Sequence, residues 1–463
     1  MLAAFALPHP PVAIDRVGRG QEAGMNKTLR SYGRIASEIA DLKPDTIIFI
    51  TPHNVSYADY FHISPGDSAR GDFGAFGAKE VSFKKGYDRA LVSAIESQAA
   101  KAGIYAGTNG EKDKRLDHGV MVPMWFIDKA YADYKCVRIS QSGMDPLIHY
   151  QFGQCIERAA EETNTRAVLI ASGDLSHKLK ADGPYGFVEE GPEYDAYITG
   201  ALGRADFMAL FNLSEKLHDR AADCGYRSYL MLAGCFDRQK VRAALLSYEG
   251  PFGVGYAIGS FYPDGADMSR NFGDLYAGQI LKTAEETRKT EDAYRGLARR
   301  SLEYTVKNSR ELKLAPDEYK DLPAEMRGER AGAFVSLHKS GQLRGCVGTI
   351  AATTGCVADE IIQNAVSAGL HDNRFEPVTE EELPWLTYKV DILGEAEDIT
   401  DPAELDVKRY GVIVTNGGRR GLLLPNLDGI DTVEEQITVA KRKAGIRGGE
   451  RVTLQRFEVT RHE

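Results

Sequence analysis

The sequence predicts an α/β N-terminal domain with a central mixed or parallel sheet flanked by helices, followed by a smaller α+β domain. Three observations carry this reading. The chain has 463 residues, more than one core normally covers. Residues 1–263 alternate short apolar runs with amphipathic stretches, the pattern of a sheet covered by helices. After Pro263 the texture turns charged and poor in large apolar residues, and a second patterned region starts near residue 290. The expected domains are therefore 1–263 and 288–463, joined by a linker with some helix over 264–287.

Taken in order, strands are expected at residues 2–7, at "DTIIFITP" (45–52), "YKCVRIS" (134–140), "RAVLIAS" (166–172) and "FGVGYAIGSFY" (252–262). Helices are expected at "TLRSYGRIASEIADL" (28–42) and "YDRALVSAIESQAAKAG" (87–103), whose apolar residues recur at three- and four-residue spacings. The connections 54–85 and 178–195 read as loops. The second region opens with the helix "DAYRGLARRSLEYTVKN". It continues through "GAFVSLHKSGQLRGCVGTI", "LPWLTYKVDIL" and "YGVIVTNGGRRGLLLP", which read as strands and hairpins, with "NGGRRG" (416–421) as a turn.

Bulk properties exclude several classes. The chain is 43% hydrophobic and 27% charged, without an apolar run of membrane-spanning length. A net charge of −10 argues against a nucleic-acid surface, which needs a concentrated basic face. The apolar start "MLAAFALPHPPVAI" lacks a basic leader and is interrupted by Pro8, Pro10 and Pro11, so it reads as a first strand and not as a signal peptide. Six scattered cysteines without CxxC pairs point to free thiols and a cytoplasmic protein.

Three of the expected N-terminal strands end on histidines: "LPHPP" carries His9, "ITPHNVS" carries His53, and "SGDLSH" carries His177. In α/β sheets, ligands bind outside the carboxyl ends of the strands. His118 follows Asp117 in "RLDHGVMVP", at a loop-to-helix junction. Any one such histidine is ordinarily a loop residue satisfied by a carbonyl; four in one domain point to a shared cleft. His62, His149 and His218 lack that context and read as structural.

Neutral imidazoles bind borderline metals, and two histidines with one carboxylate leave open positions for substrate and dioxygen on iron(II). A further histidine off the metal can act as the acid–base group, oriented by Asp174 or Asp117. Two late residues are candidates for the carboxylate. Asp223 lies at the mouth of an apolar helix, where an aspartate is ordinarily an N-cap; Glu249 lies at a turn before the last strand, where a glutamate is ordinarily solvated. Glu249 ranks slightly ahead because it enters the terminal strand of the same sheet.

"LPHPP", "TPHN", "LDHGVMVP" and "SGDLSHKL", in that order, resemble the class III (LigB-type) extradiol ring-cleavage dioxygenases and the related Memo proteins. The resemblance implies that His9 and His53 ligate a non-haem Fe(II), with a carboxylate completing the set. It makes His177 the acid–base residue beside a catechol or aminophenol and dioxygen, and His118 a pocket residue holding substrate or intermediate. Memo proteins carry a cysteine in place of the carboxylate, and ring cleavage is not established for them. "CGYRSYLMLAG" resembles a Memo segment, while Glu249 is placed where the Memo cysteine would fall; a carboxylate there favours the dioxygenase reading. The second half, through "LRGCVGT", "HDNRFEPVTEEEL" and "QITVAKRKAGI", resembles the AMMECR domain, and the fusion resembles the AmmeMemoRadiSam system protein A type, which implies a radical SAM partner.

Two other functions stay open. A His-rich pocket with an acidic ligand can hold zinc and activate water for hydrolysis. Alternatively, the protein is a metal-binding or scaffold component serving the radical SAM partner. A homo-oligomer is compatible with either. In the second half, Cys346 beside Arg344 is a candidate thiolate, with Asp372, Asn373 and Arg374 lining the same cleft; the alternative is a small strand residue packing inward beside a polar turn.

Overall fold

The computed structural model describes residues 1–427 and 429–463 and divides the chain into two compact units, Met1–Ala277 and Gly278–Glu463. In the first unit a six-stranded sheet is built from β1 (Ala3–Leu7), β2 (Thr46–Thr51), β3 (Lys135–Ser140), β4 (Ala167–Ser172), β5 (Gln239–Glu249) and β6 (Tyr256–Ala266). Their order across the sheet is β3-β2-β4-β1-β6-β5. The first four run parallel; β6 is antiparallel to β1, and β5 antiparallel to β6.

Every residue of β1, β2 and β4 is buried, as expected for parallel strands covered on both faces. Side chains alternate between those faces. Ala4, Ala6, Ile48, Ile50, Leu169 and Ala171 enter one core with the helices Arg89–Lys101 and Pro146–Glu162. Phe5, Leu7, Ile47, Phe49, Val168 and Ile170 enter the other, with the helices Asn26–Leu42 and His118–Ile127. The sheet thereby fixes where β1, β2 and β4 end, and those three carboxyl ends carry the histidines.

Several segments differ from the sequence reading. Connection 54–85 holds a hairpin, Ser68–Phe73 with Ala78–Gly86, whose inward residues Ala69, Phe73, Val81 and Phe83 join the second core. Outward charges such as Arg70, Asp72, Lys79 and Lys84 mask that alternation in the sequence. Strand β5 was not expected; it lies at the sheet edge, half-exposed along most of its length. Segment 264–287 contains the end of β6 and most of the helix Phe272–Lys289. Among the described residues no helix is long and apolar enough to cross a membrane.

The second unit is α+β. One sheet has the order β8-β7-β9-β14, from β7 (Ala333–Lys339), β8 (Gln342–Gly348), β9 (Leu386–Leu393) and β14 (Val459–His462), and packs on the helices Ala293–Asn308 and Val357–Leu370. The other has the order β10-β13-β11-β12, from β10 (Glu397–Ile399), β11 (Gly411–Asn416), β12 (Arg419–Leu423) and β13 (Thr453–Phe457). Between β11 and β12, Asn416 pairs with Arg419, so Gly417 and Gly418 form a two-residue turn, with Gly417 at φ 57°, a left-handed conformation glycine adopts at no steric cost.

Candidate metal centre

His9, two residues past β1, is 2% exposed, and its backbone N–H donates to Asp174 Oδ1 at 2.7 Å, strapping the end of β1 to the loop after β4. Its Nδ1 lies 2.8 Å from Ser172 Oγ, and the single Ser172 hydroxyl proton goes to the Gly119 carbonyl at 2.5 Å. Ser172 therefore accepts from His9, which places the proton on Nδ1 and leaves the Nε2 lone pair facing the cleft. That is the tautomer a metal ligand needs.

His53 follows β2 and is set by a short relay. Its N–H donates to Thr51 Oγ1 at 3.2 Å, and Thr51 Oγ1 donates to Asp117 Oδ1 at 2.6 Å. Asp117 precedes the helix that starts at His118, so one hydrogen-bonded link positions both histidines. The His53 and His118 rings stack at 4.0 Å between centroids. The Nε2 atoms of His53 and His9 lie 2.9 Å apart.

The third member is Cys224. Its Sγ lies 3.5 Å from His9 Nε2 and accepts from the Asp174 N–H at 3.2 Å. The ligand atoms of His9, His53 and Cys224 all fall within 4.8 Å of one another. Two metal–nitrogen bonds of about 2.0 Å meeting near the tetrahedral angle separate the nitrogens by about 3.3 Å, and a nitrogen and a sulfur by about 3.5 Å. The 3.5 Å between His9 Nε2 and Cys224 Sγ matches the second value, and the 2.9 Å between the two imidazole nitrogens corresponds to bonds of that length meeting nearer a right angle. The set is two imidazoles and a thiol, and among the described residues no carboxylate joins it.

Both expected carboxylate ligands are engaged elsewhere. Glu249 Oε1 accepts from Thr28 N–H at 2.6 Å and from Thr28 Oγ1 at 2.8 Å, anchoring the first turn of the helix Asn26–Leu42. Its place in β5 carries it to that helix and away from the cluster. Asp223 Oδ2 caps the helix Tyr226–Gly234 through Tyr226 N–H at 2.7 Å, and Oδ1 pairs with His218 Nε2 at 2.9 Å. Its neighbour Cys224 is the residue turned to the cluster. The signal for it was in the sequence: "CGYRSYLMLAG" begins with Cys224.

Electrostatics keep the cluster neutral. Burial, reinforced by His53, His118 and His177, holds His9 well below the usual imidazole range. Burial lowers His53 and His118 to about 4, and lowers His177 against the pull of Asp223. Burial and the nearby Asp174 raise the Cys224 thiol. Burial also pushes Asp174 up to about 7, opposed by the His9 amide. Neutral imidazoles are the ligand form, and a bound cation would favour the thiolate.

Beside the cluster lies a cavity of about 620 Å³ lined by His53, His118, Phe76, Leu116 and Met121, with Lys112 among its polar residues. The Phe76 ring meets His118 edge-on at 5.5 Å. His177 stacks on Tyr185 at 5.2 Å and contributes to the electrostatic surroundings of both His9 and His53. The four histidines singled out in the sequence thus gather at the ends of β1, β2 and β4.

Comparison with known proteins agrees with this architecture. Residues 3–259 match the family described as the catalytic LigB subunit of aromatic ring-opening dioxygenase, and residues 296–462 match AMMECR1. A Clostridium acetobutylicum protein, CA_C1420, is 41% identical over 99% of this chain and 98% of its own length. A Thermotoga maritima protein is 50% identical over 32% of this chain and 86% of its own. The crystal structure of the uncharacterized protein PH0010 from Pyrococcus horikoshii covers 36% of this chain and 88% of its own at 30% identity, with a TM-score of 0.33. The chain belongs to the LigB family through its N-terminal unit and carries an AMMECR1 domain behind it.

Proposed function

We propose that the N-terminal unit is a single-metal enzyme of the ring-opening dioxygenase lineage, acting on a small aromatic with two adjacent oxygen or nitrogen donors. The observation that carries the reading is the convergence of His9 Nε2, His53 Nε2 and Cys224 Sγ within 4.8 Å. A bound iron(II) would supply a site where such an aromatic and dioxygen are held together. The protein's own residues supply the rest. Ser172 holds the His9 imidazole in its ligating tautomer, and Thr51 anchors the main chain at His53. Phe76, Leu116 and Met121 give the cavity an apolar face for a ring, beside polar residues that include Lys112, Arg115 and Asp117. Lowered by burial, His177 is neutral at working pH and able to take a proton from a substrate hydroxyl; the nearby Asp223 stabilises the cation that results.

Cys224 favours a second reading. A thiolate in place of the carboxylate resembles the Memo branch, and a softer ligand set suits zinc, which would activate water for hydrolysis. The test is metal content of the purified full chain, followed by oxygen uptake from iron-loaded protein with a panel of catechols and aminophenols. Uptake that is lost in His177→Ala supports the first reading. Zinc as the bound metal with hydrolysis under strict anaerobiosis supports the second, and no metal bound would remove both.

A further inference from the structure

The helix Asn26–Leu42 and the edge strand β5 form the two walls of a separate cavity of about 250 Å³, lined by Lys27, Arg30, Ser31, Arg34, Leu246 and Ser247. The four helix residues fall at i, i+3, i+4 and i+7, so one helical face presents them together. A β-bulge shapes the strand side. Ser247 pairs with Ile258 of β6 and Leu245 with Gly259, which leaves Leu246 as the extra residue. Ile258 belongs to the core beneath the same helix, and cross-strand partners share a face, so the Ser247 side chain turns towards that helix. Glu249 ties the two walls together, accepting from the Thr28 N–H at 2.6 Å and from its hydroxyl at 2.8 Å.

Two features of this cavity suit an anion. Ser247 is 9% exposed, and among the described residues its Oγ has no hydrogen-bond partner, so a buried donor is left unsatisfied. Three of the six lining residues are cations and none is acidic. Lys27 and Arg30 have no ion pair among the described residues. Glu38 takes Arg34 through Nε at 2.7 Å, and its other oxygen accepts from Tyr262. Two further acids belong to these walls. Glu249 is turned to Thr28, and Asp41 lies seven residues beyond Arg34, about 10 Å along the helix axis. An exposed basic stripe alone is ordinarily solvated; the unpaired buried hydroxyl on the facing strand is what solvation does not account for.

We infer that this cavity binds a dianionic phosphate group, free or as the monoester of a small alcohol. Lys27 and Arg30 bring two uncompensated charges against the about −1.5 to −2 of a phosphate monoester at neutral pH. The Arg30 guanidinium donates to two phosphate oxygens as a fork, and Lys27 acts as a point charge. The Ser247 hydroxyl donates to a third oxygen, which satisfies the donor that the fold leaves unpaired. Leu246, pushed out by the bulge, gives an apolar side for the carbon part of an ester.

The test is isothermal titration calorimetry of the full chain with glycerol phosphate, inorganic phosphate and the monoanionic diester dimethyl phosphate. Both dianions are expected to bind, and the diester at least about tenfold more weakly. Arg30→Gln is expected to weaken the dianions about tenfold and Ser247→Ala about fivefold, neither lowering the melting temperature. Tighter binding of the ester than of free phosphate assigns the ester as the ligand; equal or weaker binding of the ester assigns phosphate itself. Both outcomes support the site. Failure of both dianions to bind, a diester that binds as tightly, or either variant holding both dianions within about twofold of the parent would overturn the inference.

Discussion

Gly173 sets the distance between Cys224 and His9, and Gly173→Ala tests that spacing. Gly173 follows Ser172, the partner of His9, and a Cβ there would lie 2.1 Å from Gly225 Cα, directly after Cys224. Ordinary contact begins at 3.4 Å, so the two backbones must part by roughly 1.3 Å, a displacement no rotamer change can absorb. Applied to the present 3.5 Å between Cys224 Sγ and His9 Nε2, that shift exceeds by far the ~0.2 Å tolerance of a metal–ligand bond. Overpacking of this kind costs about 1–3 kcal/mol, well within the stability of most domains. The expected result is a folded protein with metal affinity reduced at least ~10-fold, measured by competition with a chromophoric chelator alongside thermal melting. A folded Gly173→Ala variant that binds metal within about twofold of the parent would refute the argument.

Other substitutions probe the supporting contacts. Ser172→Ala removes the acceptor that fixes the His9 tautomer, and a loss of roughly 10- to 100-fold in metal affinity is expected by the same competition assay, with little change in melting temperature. Arg138 is fully buried, pairs with Glu111 at 3.0 Å and lies 3.7 Å from Asp117. Arg138→Met strands two buried carboxylates and is expected to cost about 3–5 kcal/mol in denaturant unfolding, while Arg138→Met with Glu111→Gln recovers part of it. Arg374 holds Asp372 at about 2, below its ordinary 3.8, so the stability it contributes is complete above pH 3.8 and is lost as pH falls towards 2. Asp372→Asn should flatten that acid limb of the unfolding curve for the C-terminal unit, and an unchanged slope would count against the pairing.

The parallel core was legible because β1, β2 and β4 are buried on both faces and read as unbroken apolar runs. His9, His53 and His177 stood out because they come soon after those runs, and His118 because it opens a helix directly after Asp117. Strand β5 was not legible, since a half-exposed edge strand such as Gln239–Glu249 mixes charge into its alternation, and the hairpin of Ser68–Phe73 with Ala78–Gly86 hides its inward residues behind charges such as Arg70, Asp72, Lys79 and Lys84. Cys224 escaped for a different reason. Its contact with His9 spans 215 residues and depends on the close approach of Gly173 to Gly225, which is a property of tertiary packing. Glu249 drew attention by its position before the last strand, yet its register in β5 points it to the helix at Thr28. Adjacency to the sheet did not specify which end of it a side chain would serve.

X-ray absorption at the metal edge of the loaded full chain reaches the heart of the account. The expected spectrum shows one sulfur neighbour at about 2.3 Å and two imidazole nitrogens at about 2.0–2.1 Å, with the sulfur contribution gone in Cys224→Ala. A coordination shell of oxygen and nitrogen alone, unchanged by that substitution, would contradict it.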